Sequence, residues 1–204
     1  MKNRRTLIKS ILVCLVLLGV VTCSPIPIET IEWQPDGNGF IQYKTNDPAN
    51  AVQGFAKLYD LTANLMPVEV TAKRVLGSDG GGFGVVFNAS DDQNYLKVLI
   101  NVQGMYKIER VIAGGDYDTL KDWTYSSALK LYHDVENTIK ITWAASPDLF
   151  TLVFNDGPPI TISDSLVVGA QSGFYAYVST IGNEYLPAGQ VDVRFKMVTP
   201  VAIP

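Results

Sequence analysis
From Gly39 onward the chain runs as short segments in which apolar and polar residues alternate with a period of two, the signature of strands with one face buried. Val68, Val70 and Ala72 alternate with Glu69, Thr71 and Lys73, and Val191, Val193, Phe195 and Met197 alternate with Asp192, Arg194 and Lys196. Leu96, Val98, Ile100 and Val102 form a third inward row against Tyr95, Lys97 and Asn101. Ile139, Ile141 and Trp143 form a fourth, and Phe150, Leu152 and Phe154 a fifth. Strands also fit 82–89, 105–111 and 173–180. Turn chemistry separates the segments at Ser78-Asp79-Gly80-Gly81, Asp91-Asp92, Gly114-Gly115-Asp116, Ser146-Pro147-Asp148 and Asn155-Asp156-Gly157-Pro158. No helical stripe interrupts the series. So many half-buried antiparallel strands require two sheets packed face to face. There are more strands than the roughly seven of an immunoglobulin domain and no Cys, Trp, Cys core, so the expected fold is an all-β, antiparallel two-sheet jelly-roll sandwich.

Ahead of this region Lys2, Arg4, Arg5 and Lys9 precede an apolar run from Ile11 to Val21 that ends at Cys23. The run falls short of the ~20 residues that span a bilayer, so it reads as an export signal. Val20-Val21-Thr22-Cys23 resembles the lipobox of bacterial lipoproteins, although Thr22 stands where Gly, Ala or Ser is usual. The resemblance implies lipidation of Cys23 and attachment to the cell envelope; ordinary cleavage after Cys23, and secretion, is the alternative. The expected organisation is a signal at 1–22, a lipid-anchored tether at 23–35 containing Pro25, Pro27 and Pro35, and the sandwich at 36–204. Cys14 lies inside the signal, so the mature chain holds at most one thiol and no internal disulfide.

Of sixteen Lys and Arg, four lie in residues 1–22, where there is no acid; the mature region therefore has twelve basic against twenty acidic residues, a net charge of −8. Nucleic acid is excluded as a partner on these grounds, and an N-terminal lipid is the expected route to a membrane.

Gly84-Val85-Val86-Phe87-Asn88, Asn94-Tyr95-Leu96-Lys97-Val98, Gly104-Met105-Tyr106-Lys107-Ile108, Leu120 to Trp123, Asn137 and Leu152-Val153-Phe154-Asn155-Asp156-Gly157 follow one another across residues 65–180. In that order they resemble the concanavalin A-like lectin/glucanase domains, the laminin-G-like jelly rolls. The resemblance implies scaffold roles: a glycine for close strand packing, a Trp closing one end of the sandwich, and an Asn-Asp-Gly turn within a hairpin. It also implies calcium held between loops as a candidate cofactor.

A glucanase of this superfamily would carry two glutamates about four residues apart with an aspartate between them. Glu69, Glu109, Glu136 and Glu184 all lack an Asp two residues later, so no catalytic residue is assigned. His133 is the single histidine, with no Gly-x-Ser-x-Gly elbow, and reads as a loop residue. Gly80-Gly81-Gly82-Phe83-Gly84 leads into a strand, not a helix, so it is a turn and not a phosphate cradle. Two features carry ligand chemistry. Asp91, Asp92, Asp116 and Asp118 are candidate calcium ligands in expected loops, with solvated turn acids as the alternative. Tyr95, Trp123, Tyr125, Tyr175 and Tyr177 are candidate sugar-stacking rings on outward or rim positions, since sugars present C–H faces to aromatics; Tyr117 and Tyr132 share that character. The expected function is non-catalytic carbohydrate binding at the envelope. The alternatives are an adhesive surface lipoprotein that binds envelope or host proteins, and a glycoside hydrolase-like enzyme.

Overall fold
Every regular element among the described residues is a strand. The computed structural model describes residues 11–17, 20–26, 30–46, 53–60, 68–112, 116–143, 149–164, 169, 171–178 and 190–198. The strands are β1 (Ile11–Leu17), β2 (Val20–Ile26), β3 (Thr30–Pro35), β4 (Ile41–Thr45), β5 (Gln53–Asp60), β6 (Val68–Leu76), β7 (Phe83–Asp91) and β8 (Asn94–Ile100). They continue with β9 (Met105–Ile112), β10 (Asp116–Tyr125), β11 (Asn137–Trp143), β12 (Leu149–Phe154), β13 (Ile160–Ser163), β14 (Gln171–Val178) and β15 (Val191–Met197). A six-stranded sheet has the order β10-β9-β8-β7-β14-β5, and a seven-stranded sheet the order β13-β12-β11-β6-β15-β4-β3. All pairings are antiparallel, and the two sheets make a jelly-roll sandwich. β1 and β2 pair in a separate two-stranded sheet, with Leu17 opposite Val20.

The alternating rows meet between the sheets. Val85, Phe87, Leu96, Val98, Ile100, Ile108, Phe174 and Ala176 of the six-stranded sheet face Val68, Val70, Ala72, Ile139, Ile141, Phe150, Leu152, Phe154, Val193 and Phe195 of the other. Phe174 stacks on Phe195 with ring centres 4.9 Å apart, and Phe87 meets Phe150 edge to face at 5.1 Å. The glycine before Val85-Val86-Phe87 has the close-packing role the resemblance implied: a Cβ at Gly84 would collide with the carbonyl oxygen of Val98. The Asn155-Asp156-Gly157 turn joins β12 to β13, with Asn155 at φ 49° and the Gly157 N–H donating to the Phe154 carbonyl at 2.9 Å.

Two expectations are corrected. The sandwich begins at Thr30, not after Pro35: β3 pairs with β4 inside the segment expected to be tether. Burial of an aromatic ring is the reason, because Trp33 packs against Tyr43, Phe174 and Phe195 at 5.1, 6.2 and 5.7 Å. Asp116 and Asp118 lie on strand β10, not in a loop. β10 lacks the alternating signal because it is an edge strand with two register shifts, between Thr119 and Lys121 and between Lys121 and Thr124, and charge on an edge discourages pairing with other chains. The Gly114-Gly115 and Ser146–Asp148 turns, the basic residues of the signal, and the side chains of Trp143 and Asp116 lie outside the described residues.

Phe154 is 1% exposed, so Phe154→Ala should cost about 3–5 kcal/mol in denaturant unfolding. Lys140, paired at 3.6 Å with Glu69 on the solvent face, should lose less than about 1 kcal/mol on replacement by Ala. Equal midpoints for the two variants would refute this packing.

Candidate functional site
The outer face of the six-stranded sheet is not a uniformly wet surface. Strand register assembles it in rows. Tyr175 of β14 lies opposite Gly84 of β7, which lies opposite Leu99 of β8, which lies opposite Lys107 of β9. In the next row Gly173, Val86, Lys97, Glu109 and Thr119 follow one another across five strands. Tyr95, Val111 and Tyr117 form a third. A second apolar cluster of Val86, Ala89, Tyr95, Leu99 and Tyr175, with Trp123 and Tyr177 packed on it, covers this face. Ala89 joins it because Asn88 adopts φ 54°, which breaks the alternation after Phe87.

Two adjoining clefts lie over these rows. One, of about 450 Å³, is bordered by Gly82, Leu99, Trp123, Tyr175 and Tyr177, with Lys97, Lys107 and Glu109 among its lining groups. The other, of about 430 Å³, is lined by Asp92, Gln93, Tyr95 and Val111, and shares Lys97, Tyr117 and Tyr175 with the first. At the junction Lys97 donates to Glu109 at 2.9 Å, and Lys107 donates to the other Glu109 oxygen at 2.6 Å. The Lys97 ammonium lies 4.3 Å from the centre of the Tyr175 ring and 5.9 Å from that of Tyr117. Burial pushes the Glu109 carboxyl up, but hydrogen bonds and charge from the two lysines outweigh it and hold the group below the usual glutamate range. Burial, reinforced by the Glu109 charge, pushes the Tyr175 phenol well above its ordinary value, so this hydroxyl stays neutral and can donate or accept.

The wall at residues 78–82 is held from beneath. The buried Arg74 guanidinium donates to the carbonyls of Ser78 and Gly82 and lies 5.1 Å from the Phe83 ring centre. Burial pushes its pKa down to about 10, against an opposing effect of the Asp79 charge, so it remains a cation at neutral pH. His133 Nε2 lies 2.9 Å from Asp79 Oδ1 and ties this turn to the 126–136 segment, which gives the single histidine a structural contact. Gly82 leaves room for Leu99 and Trp123, whose nearest atoms would lie 3.0 and 3.4 Å from a Cβ there.

Four of the five aromatics expected at a site, Tyr95, Trp123, Tyr175 and Tyr177, therefore converge on this face, while Tyr125 is 62% exposed and borders neither cleft. Tyr95 and Tyr175 are corrected from exposed rings to buried ones at 7% and 8%, because the second apolar cluster encloses them. Trp123 lies over the sheet face instead of closing an end of the sandwich. Asp91 serves its own turn, accepting from the Asn94 side chain and the Gln93 N–H at 2.8 Å each, and these bonds hold its carboxyl below the usual range. Asp92 borders the second cleft, and Asp118 pairs with Arg110. Among the described residues no three acidic, His or Cys side chains are grouped to hold a metal ion. The alternation did not single out Lys97, Lys107 and Glu109. The hairpin did contain the signal: a turn at Asn101–Gly104 with Ile100 opposite Tyr106 sets Leu99 opposite Lys107 and Lys97 opposite Glu109.

No protein-family model matches the chain, and no curated protein matches it. Among solved structures it is similar to the carbohydrate-binding module CBM66 from Bacillus subtilis, at 12% identity over 78% of this chain and 79% of that one with a TM-score of 0.49. It is also similar to sheep galectin-11 in complex with glycerol, at 12% identity over 73% and 95% of the two chains with a TM-score of 0.40. A third is the CBM40 of a Ruminococcus gnavus IT-sialidase, at 14% identity over 75% and 95% with a TM-score of 0.37.

Glu109→Gln leaves two ammonium groups facing a neutral amide and should lower stability at pH 7 by about 3–5 kcal/mol. Because the folded-state pKa of Glu109 is depressed, its contribution is present above the unfolded glutamate range near pH 4.3 and is lost as pH falls through the folded value. Urea unfolding from pH 7 to pH 3 should therefore show a shallower acid decline in the variant than in the parent; parallel curves would refute the assignment.

Proposed function
We propose that the outer face of the six-stranded sheet binds carbohydrate without cleaving it, in a domain exported from the cell and anchored by a lipid on Cys23. The observation that carries the reading is the meeting of Tyr117, Trp123, Tyr175 and Tyr177 around the Lys97–Glu109 pair in open clefts. Ring faces suit the C–H surface of a sugar, and an ammonium beside a carboxylate offers a donor and an acceptor to neighbouring hydroxyls. The cleft volumes fall in the ~300–1,000 Å³ range usual for ligand sites, and their shared wall suits a chain of more than one sugar ring. Glu109 is kept ionised by two lysines, which suits hydrogen-bond acceptance and is the opposite of the raised pKa a glycosidase proton donor needs.

Tyr117 is 63% exposed and Trp123 lies on the cleft wall, so each ring can be removed with less structural cost than Tyr175. A glycan array on residues 24–204 should identify a ligand. Tyr117→Ala and Trp123→Ala should then each weaken it about tenfold, or 1.4 kcal/mol. Tyr117→Ala should also leave the Tm within a few degrees of the parent. Absence of binding across the array would overturn the reading. For the anchor, mass spectrometry of membrane-extracted protein should find an N-terminus at Cys23 with added acyl mass. An unmodified N-terminus at Ser24 in a soluble fraction would replace anchoring with secretion.

A further inference from the structure
The ionic groups of the larger cleft do not balance. Lys97 and Lys107 both donate to the single carboxylate of Glu109. Among the described residues the other acid within 4.0 Å of either ammonium is Asp122, 4.0 Å from Lys107, with a side chain 82% exposed and one oxygen already accepting the Trp123 N–H. A carboxylate so placed is largely hydrated and compensates Lys107 weakly. Lys97, 8% exposed, has ring faces as its further neighbours. Each ammonium carries three donors and gives one to Glu109, so donors remain on both lysines, and both line the cleft. A desolvated pair of cations sharing one anion is stabilised by a second anion, and the groove has a polarity that fixes where it would sit. Asp92 borders the far cleft, whereas Lys107 and Trp123 border the near one.

We infer that the groove selects an anionic saccharide, its carboxylate or sulfate seated between Lys97 and Lys107 and its ring against Trp123. This selectivity rests on the carbohydrate reading above. The negative charge of the rest of the chain does not oppose it at short range, because charges more than about 8 Å away are screened at physiological ionic strength.

Calorimetric titration of the full chain with an oligogalacturonate, a chondroitin sulfate oligosaccharide, its desulfated form and a neutral galacto-oligosaccharide tests this. At least one anionic probe should bind about tenfold or more tightly than the neutral one. The gap should narrow when NaCl is raised from about 50 to 200 mM, and Lys107→Gln should erase it. A preference for the uronate or for the sulfate assigns the anionic group. Equal affinities for anionic and neutral probes, or an anionic preference insensitive to salt, would overturn the selectivity while leaving sugar binding intact. Binding to none of the four, with the glycan array also blank, would overturn both. If Lys107→Gln does not fold, the salt titration of the parent protein decides the question by itself.

Discussion
The stack of Phe174 on Phe195, with planes 10° apart, joins β14, which β5 flanks at one edge of its sheet, to β15, which lies between β6 and β4 in the other. Trp33, Phe83 and Tyr43 complete the ring cluster around it. Each large side chain so buried is worth roughly 1.5–3 kcal/mol, and the ring pairing adds about 0.5–1.5 kcal/mol to that. The consequence reaches the opposite face. With Phe174 and Ala176 committed inward, strand geometry sends Tyr175 and Tyr177 outward, and the pairing of β14 with β7 sets Tyr175 across from Gly84. The core therefore fixes the position of the groove aromatics, and a one-residue slip of β14 would destroy both together.

Strands with one wet face were legible in the sequence because alternation reports that condition; the rows on β6, β12 and β15, and Ile139 and Ile141 of β11, lie where the pattern put them. Elements that break the condition were not. β10 carries charges on an edge, β3 is short and anchored by one tryptophan, and the bulge at Asn88 moves Ala89 to the other face. The phase of Tyr175 and Tyr177 was readable from β14 alone. Their burial was not, since it depends on Val86, Leu99, Tyr95 and Trp123 arriving from three other strands. The ion cluster was readable only through hairpin register, which turns a twelve-residue separation between Lys97 and Glu109 into a direct cross-strand pair.

Net charge and local charge point in different directions here. Residues 23–204 carry a net charge of −8 and repel polyanions at long range, yet the ionic group of the groove carries two cations to one anion. Such a cluster adds little stability compared with apolar packing of the same volume, because desolvation of the lysines offsets much of the Coulomb attraction. It stands on a face otherwise covered by Val86, Leu99 and tyrosine rings, and the proposed anionic ligand would meet it there.

Most of the groove stands on strands, and this bears on how it would bind. Lys97, Lys107, Glu109, Trp123, Tyr175 and Tyr177 belong to four strands of one hydrogen-bonded sheet, so little backbone order is lost when a ligand enters. The exception is the 78–82 wall, a turn that would be free to move if packing alone held it. Arg74 replaces packing with hydrogen bonds to two of its carbonyls. Gly81 lies so close to the guanidinium that a Cβ there would collide with it, and the Tyr177 N–H donates to the Gly82 carbonyl at 3.0 Å. A buried cation thus fixes the backbone of one wall while the groove ions face the cleft.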